Sequence, residues 1–135
     1  MIQIKDIDHI VLRVRDLERM IDFYCTVIGC KVEWRRPELG LVHLRAGSAM
    51  IDLASLDGPS GARGGAAPGP EGRNVDHFCL RVDAFDQEAI VRHLESHGVK
   101  PGKIISRFGA EGWGVSIYLS DPEGNGVELK GANPA

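Results

Sequence analysis

Two stretches of the chain arrange polar and apolar residues in the same order. Residues 7–14 read IDHIVLRV, and residues 75–82 read VDHFCLRV. Each stretch has an aspartate, a histidine and then an apolar-rich run ending Leu-Arg-Val, which is typical of a β-strand. The repeat carries His9 onto His77, so the pattern predicts that the chain contains two copies of one unit.

Side chains two positions apart on a strand share a face. His9 therefore shares a face with Arg13, and His77 shares a face with Arg81. The opposite faces are apolar and suit packing under helices; they consist of Ile10, Leu12, Val14, Phe78, Leu80 and Val82. We therefore expect the two histidine faces to point into a shared concavity.

Each copy is followed by residues with helical spacing. Asp16 can cap a first helix that ends at Gly29, and a second helix begins at Asp83 or Asp86 and ends at Gly98. The apolar residues with helical spacing are Leu17, Met20, Ile21, Tyr24, Val27 and Ile28 in the first half, and Ile90, Val91 and Leu94 in the second. Both predicted helices are amphipathic.

Three short β-rich runs follow each predicted helix. Their approximate ranges are 31–36, 41–46 and 49–55 in the first half, and 103–108, 114–120 and 126–130 in the second. Both halves therefore have the order β-α-β-β-β, which predicts an α+β protein made of two βαβββ modules.

A stretch rich in glycine, proline and alanine, residues 58–73, separates the halves. This composition predicts a flexible connection without a third structural element. The modules then cover about 1–57 and 74–135, and 135 residues suit one compact domain.

Composition and charge exclude several classes. The 43% hydrophobic and 26% charged residues are ordinary for a globular protein, and a net charge of -3 with interspersed signs argues against nucleic-acid binding. Neither a signal peptide nor a long apolar run is seen, which predicts a cytoplasmic protein without membrane contact. The odd cysteine count without CxxC spacing predicts reduced structural thiols.

The last strand of each half carries a carboxylate between apolar neighbours, in Ile-Asp52-Leu and Val-Glu128-Leu. A carboxylate facing a protein interior is costly unless a cation accompanies it. We therefore predict one divalent metal, Fe, Ni, Co, Mn or Zn, held by His9, His77 and Glu128 with open positions for substrate. Asp52 is a candidate fourth ligand. Its side chain is shorter than that of glutamate, so it can alternatively stop short of the ion and orient the residues that bind it.

The motifs DHIVLRVRDLERMIDFY, VDHFCLRV and YLSDPEGNGVEL resemble the vicinal oxygen chelate superfamily, which includes glyoxalases, bleomycin-resistance proteins and ring-cleaving dioxygenases. The resemblance covers nearly the whole chain. It implies paired modules in an open, cup-shaped mixed β-barrel with helices outside, a metal bound from the first and last strands of each module, and a homodimer. The two strand histidines match His9 and His77, and the final glutamate matches Glu128. Asp52 stands where glyoxalase I-like members are expected to have glutamate.

Tyr118 precedes Glu128 by ten residues. This spacing resembles that of the active-site tyrosine of extradiol dioxygenases, and it makes Tyr118 a candidate for catalysis or substrate orientation. Those enzymes are also expected to have a histidine shortly before the second metal histidine, and no histidine occurs between His43 and His77. The absence weakens the dioxygenase interpretation.

Three further residues are candidates for substrate binding. His43 alternates with apolar neighbours in LVHLRAG and is a candidate to line the site. Arg13 and Arg81 lie on the histidine faces and are candidates either for ion pairs with carboxylates or for holding a substrate anion.

The resulting hypothesis is a glyoxalase-like lyase or isomerase for a small substrate with adjacent oxygens. The metal would polarise a carbonyl and stabilise an enediolate, and Asp52 or Glu128 would be the general base. Glutathione or another thiol is a candidate partner. The alternatives are an Fe(II) extradiol dioxygenase, and a bleomycin-resistance-like binding protein or thiol-transferase resistance protein.

Overall fold

The computed structural model describes residues 1–132, which form two compact units: Met1–Asn74 and a second unit that begins at Val75. The last three residues of the second predicted module therefore lie outside the described residues. Within residues 1–132, no helix is long and apolar enough to span a membrane.

The first unit contains one four-stranded sheet in the order β1-β4-β3-β2. Strand β1 runs parallel to β4, and the other pairs are antiparallel. The strands are β1 (His9–Val14), β2 (Lys31–Arg36), β3 (Leu41–Ala46) and β4 (Ala49–Ser55); the helices are α1 (Leu17–Asp22), a π-helical segment (Phe23–Ile28), a 3-10 turn (Pro37–Leu39) and α2 (Pro59–Ala62).

The predicted first helix changes its winding halfway along. Asp16 caps α1 by accepting a hydrogen bond from the backbone N–H of Arg19, as expected from the sequence. After Asp22 the helix widens into the π-helical segment, which contains the β-branched run 26–28, a poor α-helical sequence. Gly29 ends it with φ of 95°, a left-handed conformation that glycine adopts at low cost.

The connection after β4 is more ordered than its composition predicts. The expectation that this segment contains no third element is wrong, because α2 lies inside it. Pro59 starts this helix at a position that needs no N–H donor, and Gly61 lies so close to β4 that a Cβ would be 1.9 Å from the carbonyl oxygen of Ser55. Hydrogen bonds from the Arg13 guanidinium hold the end of this helix and the residues that follow it.

The second unit repeats the arrangement with the sheet order β5-β8-β7-β6, in which β5 runs parallel to β8. Its elements are β5 (Phe78–Arg81), α3 (Gln87–Ser96), β6 (Ile104–Gly109), β7 (Gly112–Ser120) and β8 (Gly126–Lys130). Asp86 caps α3 by accepting a hydrogen bond from the N–H of Ala89. The α+β class and the two β-α-β-β-β modules are therefore confirmed.

The sheet faces are divided between core and surface as the alternation predicts. On β1, Leu12 and Val14 are fully buried, whereas His9 and Val11 are exposed. On β4, Ile51 and Leu53 are fully buried as well. Full burial of such side chains stabilises the fold by about 1.5–3 kcal/mol each. A shift of the strand register by one residue would expose them, so the observed register is favoured and His9 lies on the opposite face.

Candidate functional site

In the first unit, the parallel pairing of β1 with β4 brings His9 close to Asp52. Val11 is the direct neighbour of Asp52, so His9 stands two positions earlier on the same face. The Nε2 atom of His9 lies 3.9 Å from Oδ2 of Asp52, and its Nδ1 atom is 2.8 Å from Oδ1 of Asp8. Asp52 is buried, whereas about half of the His9 side chain is exposed. The imidazole edge beside Asp52 therefore remains accessible to a ligand.

His43 holds the other oxygen of Asp52. It lies directly opposite Asp52 across the β3–β4 pair, and its Nδ1 atom is 2.9 Å from Oδ1. Trp34 stacks against the His43 ring, with centroids 5.7 Å apart. The Nε2 atom of His43 is buried and has no hydrogen-bond partner within residues 1–132. A buried, unsatisfied ring nitrogen is costly, so this atom is available to a ligand.

The second unit contains the equivalent pair in a tighter form. The Nε2 atom of His77 lies 3.1 Å from Oε1 of Glu128, and its Nδ1 atom is 2.5 Å from Oδ2 of Asp76. The hydroxyl of Ser116 donates to Oε2 of Glu128 at 2.5 Å. Glu128 is buried, so both of its oxygens are held in fixed positions.

Tyr118 lies beside this pair. It is the direct cross-strand neighbour of Glu128, and its hydroxyl is one of the groups that lower the pKa of that carboxylate. The Tyr118 and His77 rings have centroids 5.6 Å apart. The Nε–H of Arg107 donates to the Tyr118 hydroxyl oxygen at 3.1 Å. Tyr118 therefore contacts both predicted metal-binding residues of this unit.

The charges of these groups follow from their neighbours. The hydrogen bond to Asp8 raises the pKa of His9, and the hydrogen bond to Asp76 raises that of His77, in each case against the opposing effect of burial. Burial alone would raise the pKa of Glu128, but hydrogen bonds from Ser116 and Tyr118 and the nearby His77 lower it overall. The geometry therefore favours an ionised glutamate beside an imidazole.

Asp8 and Asp76 are functional candidates that the sequence reasoning missed. Each precedes its histidine directly and bonds to the Nδ1 atom, which leaves Nε2 directed at the carboxylate on the neighbouring strand. The signal was present, since the Asp-His dipeptide is part of the repeat. Carboxylates that orient the distal nitrogen of a metal-binding histidine are a common feature of metal sites.

The two arginines predicted for substrate binding have protein partners. The guanidinium of Arg13 donates to the carbonyls of Gly61, Gly65 and Ala66 at 2.9–3.1 Å, so it holds the connection after β4. The Nε atom of Arg81 lies 3.0 Å from Oε1 of Glu111. Arg81 therefore makes an ion pair with a carboxylate, whereas Arg13 bonds to backbone carbonyls and not to a carboxylate.

The donor set of each unit fits a divalent metal ion. Two ligand atoms bound to one ion at about 2.1 Å and near a right angle are about 3 Å apart, close to the separation of His77 and Glu128. Neutral imidazole and carboxylate are ligands that Fe, Mn, Co, Ni and Zn accept. Within either unit, the described residues contain no group of three or more His, Cys, Asp or Glu side chains that could hold a metal ion. Each unit therefore offers an imidazole and a carboxylate as a pair.

A family model described as the Glyoxalase/Bleomycin resistance protein/Dioxygenase superfamily matches residues 6–129. The chain therefore belongs to this superfamily. The match includes all four residues predicted to bind metal, and it agrees with the resemblance stated from the sequence.

Individual relatives differ in their activities. Catechol-2,3-dioxygenase of Bacillus subtilis (strain 168) is 29% identical over 124 residues, which are 91% of this chain but only 40% of the relative. An integron cassette protein from the V. cholerae mobile metagenome has a similar structure, with 28% identity, a TM-score of 0.76 and coverage of 97% and 98%. Lactoylglutathione lyase from Agrobacterium tumefaciens has 25% identity, a TM-score of 0.66 and coverage of 93% and 92%. The superfamily is thus shown, whereas these relatives include more than one reaction type.

Proposed function

We propose that this protein is a metal-dependent lyase or isomerase of the superfamily, acting on a small substrate with vicinal oxygens. His9, His77 and Glu128 hold one divalent ion, and Asp52 completes the site. The observation that carries the proposal is the duplicated pair of an imidazole and a carboxylate, in which an aspartate bonds to Nδ1 and leaves Nε2 directed at the carboxylate. A bound ion would polarise a substrate carbonyl and so favour loss of a proton from the adjacent carbon.

The contacts of the two carboxylates suggest different roles for them. Glu128 has a lowered pKa and has one oxygen bonded to Ser116, so it is a poor proton acceptor and a good ligand. Asp52 stands farther from its imidazole, at 3.9 Å, and only its Oδ1 atom is bonded to His43. We therefore assign proton transfer from substrate to Oδ2 of Asp52, and metal binding to Glu128.

Tyr118 and His43 have supporting roles in this proposal. The Tyr118 hydroxyl lies beside Glu128 and can orient a substrate oxygen. The unpartnered Nε2 atom of His43 can bond to substrate or to a water that carries the proton away. Glutathione or another thiol is the co-substrate to test first, and a homodimer is the assembly to test. The similarity to a lactoylglutathione lyase supports this choice of co-substrate.

Ring cleavage by an Fe(II) extradiol dioxygenase is the second candidate. It is favoured by the contacts of Tyr118 with Glu128 and His77 and by the similarity to a catechol dioxygenase. A binding protein of the bleomycin-resistance type, or a thiol-transferase resistance protein, is the third candidate. Metal dependence separates a pure binding protein from the enzymes.

Metal binding is the first test. Chelator-treated protein is titrated calorimetrically with Ni, Co, Zn, Mn and, without oxygen, Fe(II). We expect one ion per site and a loss of affinity of at least about tenfold in Glu128→Gln and His77→Gln, with a smaller loss in Asp52→Asn. Glu111→Gln, which removes an exposed carboxylate in the same unit, is the matched control. Equal affinity in Glu128→Gln and Glu111→Gln would contradict the proposal.

Activity is the second test. Each metal-loaded form is assayed with the methylglyoxal–glutathione hemithioacetal, and the Fe(II) form is assayed with catechols and oxygen. Turnover of the hemithioacetal that is lost in Asp52→Asn supports the lyase. A yellow ring-fission product instead supports the dioxygenase and overturns the lyase assignment. Protein that binds no metal and turns over neither substrate is a binding protein.

A further inference from the structure

We propose that Arg107 and Lys130 form a subsite for a carboxylate or phosphate-type group, so that the substrate is a small acid with adjacent oxygens. The statement that the substrate has adjacent oxygens rests on the proposed function. The anion subsite itself lies within the second unit and is argued from that unit alone.

Strand register places Arg107 on the face that carries the candidate site. Arg107 lies opposite Gly114 across the β6–β7 pair. Gly114 shares its face with Ser116 and Tyr118, because these residues are two positions apart on β7. Tyr118 is in turn the direct neighbour of Glu128 on β8. The Arg107 side chain therefore lies on the sheet face that carries Glu128, and it reaches that face from the edge strand β6.

The guanidinium of Arg107 is half-buried and only partly used. Its Nε–H donates to the Tyr118 hydroxyl oxygen, and its central carbon lies 5.7 Å from the Tyr118 ring centroid. Among residues 1–132 it has no ion pair with a carboxylate, and its two terminal nitrogens make no hydrogen bond to a described residue. By contrast, Arg81 pairs with Glu111, and the Arg13 guanidinium bonds to three carbonyls. Arg107 thus presents a free donor edge.

Lys130 adds a second positive charge that lacks a counter-ion in the described part of the chain. The residue is only 8% exposed, and its ammonium group donates to the carbonyl oxygens of Arg107 and Gly114. A Cβ at Gly109 would lie 2.7 Å from Cε of Lys130. Because glycine has no side chain, the Lys130 side chain has space to reach β6. A buried cation bonded only to carbonyls is costly, and an anionic ligand would offset that cost.

The chemistry of the two cations limits the class of ligand. A guanidinium edge binds planar or tetrahedral oxyanions with two parallel hydrogen bonds, and an ammonium group binds them as a point charge. Glu128 is a carboxylate itself and offers no cation to an acid, so the acid end of a substrate docks at the donor edge of Arg107. The adjacent oxygens of that substrate then face His77 and Glu128. Small 2-hydroxy or 2-oxo acids and oxygenated phosphonates have this arrangement.

Ligand binding to chelator-treated protein tests the subsite without the metal. Lactate and inorganic phosphate are the two anionic probes, and lactamide is the neutral counterpart of lactate; binding is followed by amide chemical shifts in NMR titrations. We expect wild-type protein to bind at least one anion in the millimolar range or tighter, and to bind lactamide at least about tenfold more weakly than lactate. A preference for lactate indicates a carboxylate, and a preference for phosphate indicates a phosphate-type group.

Variants show whether these residues form the subsite. Arg107→Gln is expected to weaken anion binding at least about tenfold, and Arg107→Lys less, because it keeps the charge and loses the planar edge. Lys130→Gln should weaken anion binding to a similar extent. If this variant does not fold, the result for Arg107→Gln, in which Lys130 is intact, tests the subsite. Arg92→Gln, an exposed arginine of α3, is the control and should bind as wild type does.

Three results would overturn the subsite: undetectable anion binding by wild type at tens of millimolar, equal binding of lactamide and lactate, or unchanged binding in Arg107→Gln. Because metal is absent, these results do not depend on the proposed function. Conversely, failure of metal binding in the calorimetric test leaves the outcome of this experiment unaffected.

Discussion

The Nε2 atom of His77 lies 3.1 Å from Oε1 of Glu128. In the first unit, the imidazole of His9 faces the shorter carboxylate of Asp52 in the equivalent arrangement. There the separation of His9 and Asp52 is 3.9 Å. The difference follows from the side chains, because aspartate has one methylene fewer and its other oxygen is bonded to His43. The duplicated units therefore share an arrangement but suit different roles for their carboxylates.

Ser116→Ala tests what holds Glu128 in its ionised form. The pKa of Glu128 lies below its ordinary value of 4.5, so its contribution to stability is present above that pH and is lost as the pH falls through the lowered folded value. Removing the Ser116 hydroxyl moves the folded pKa upward. We expect the metal-free variant to lose about 1–3 kcal/mol of unfolding free energy at pH 7, and less below pH 4.5.

Urea denaturation at several pH values measures this difference. Ser120→Ala, an exposed serine at the end of the same strand, serves as the control and should change stability by less than about 0.5 kcal/mol. A loss in Ser116→Ala that is equal at pH 3 and pH 7 would show a packing effect unrelated to the charge of Glu128.

Asp8→Asn and Asp76→Asn test the orientation of the two imidazoles. Each change removes a carboxylate that accepts from Nδ1, so the ring can turn and the tautomer with a free Nε2 is less favoured. We expect metal affinity to fall about 10–100-fold in the double variant, with a smaller loss in each single variant. Calorimetry and the visible spectrum of Co(II)-loaded protein report affinity and ligand geometry separately. Asp6→Asn, which changes a nearby exposed aspartate, should match wild type in both measurements.

Arg13→Ala should release the connection that follows β4. The guanidinium bonds to three carbonyls of that segment, each worth about 1 kcal/mol net. Without these bonds, local opening becomes more frequent, and trypsin should cut after Arg63 and Arg73 at least about tenfold faster. Mass spectrometry of timed digests identifies the sites. Arg19→Ala on α1 is the control, and equal cleavage rates in the two variants would show that Arg13 does not anchor the segment.

Cys79 should react slowly with thiol reagents although the residue is exposed. The thiol group is partly buried even though the residue as a whole is exposed, and this desolvation and, next, the charge of Glu128 raise the pKa of the thiol to about 12. Only the thiolate is nucleophilic, and such a value leaves about a thousandfold less of it at pH 8 than the ordinary pKa of 9.0 does. We expect alkylation by iodoacetamide to be at least about tenfold slower than for free cysteine.

Glu128→Gln should accelerate this alkylation, because it removes the negative charge next to the thiol, whereas Glu111→Gln should leave the rate unchanged. Peptide mapping distinguishes Cys79 from Cys25 and Cys30. Reaction of Cys79 at the rate of free cysteine in wild-type protein would contradict the coupling between the thiol and Glu128.

Local patterns predicted most of the elements. The strand ranges 31–36, 41–46 and 49–55 agree with the structure, and the alternation of β1 correctly separates the buried Leu12 from the exposed His9. The second helix was left with two possible starts, and the structure selects Asp86 as its cap. The connection was predicted to contain no further element, and α2 contradicts this; composition reports local propensity and does not show that Arg13 reaches the segment from β1.

The sequence by itself determined the duplication, the α+β class and the faces that carry His9, His77, Asp52 and Glu128, because periodicity is a local property of the chain. Tertiary structure decided which strands are neighbours: β1 lies beside β4 and β5 beside β8, and this parallel pairing brings each imidazole to its carboxylate. It also decided the bonds of Arg13 to the connection and of Lys130 across its sheet. Such contacts join residues far apart in the chain, where no local period indicates which groups will meet.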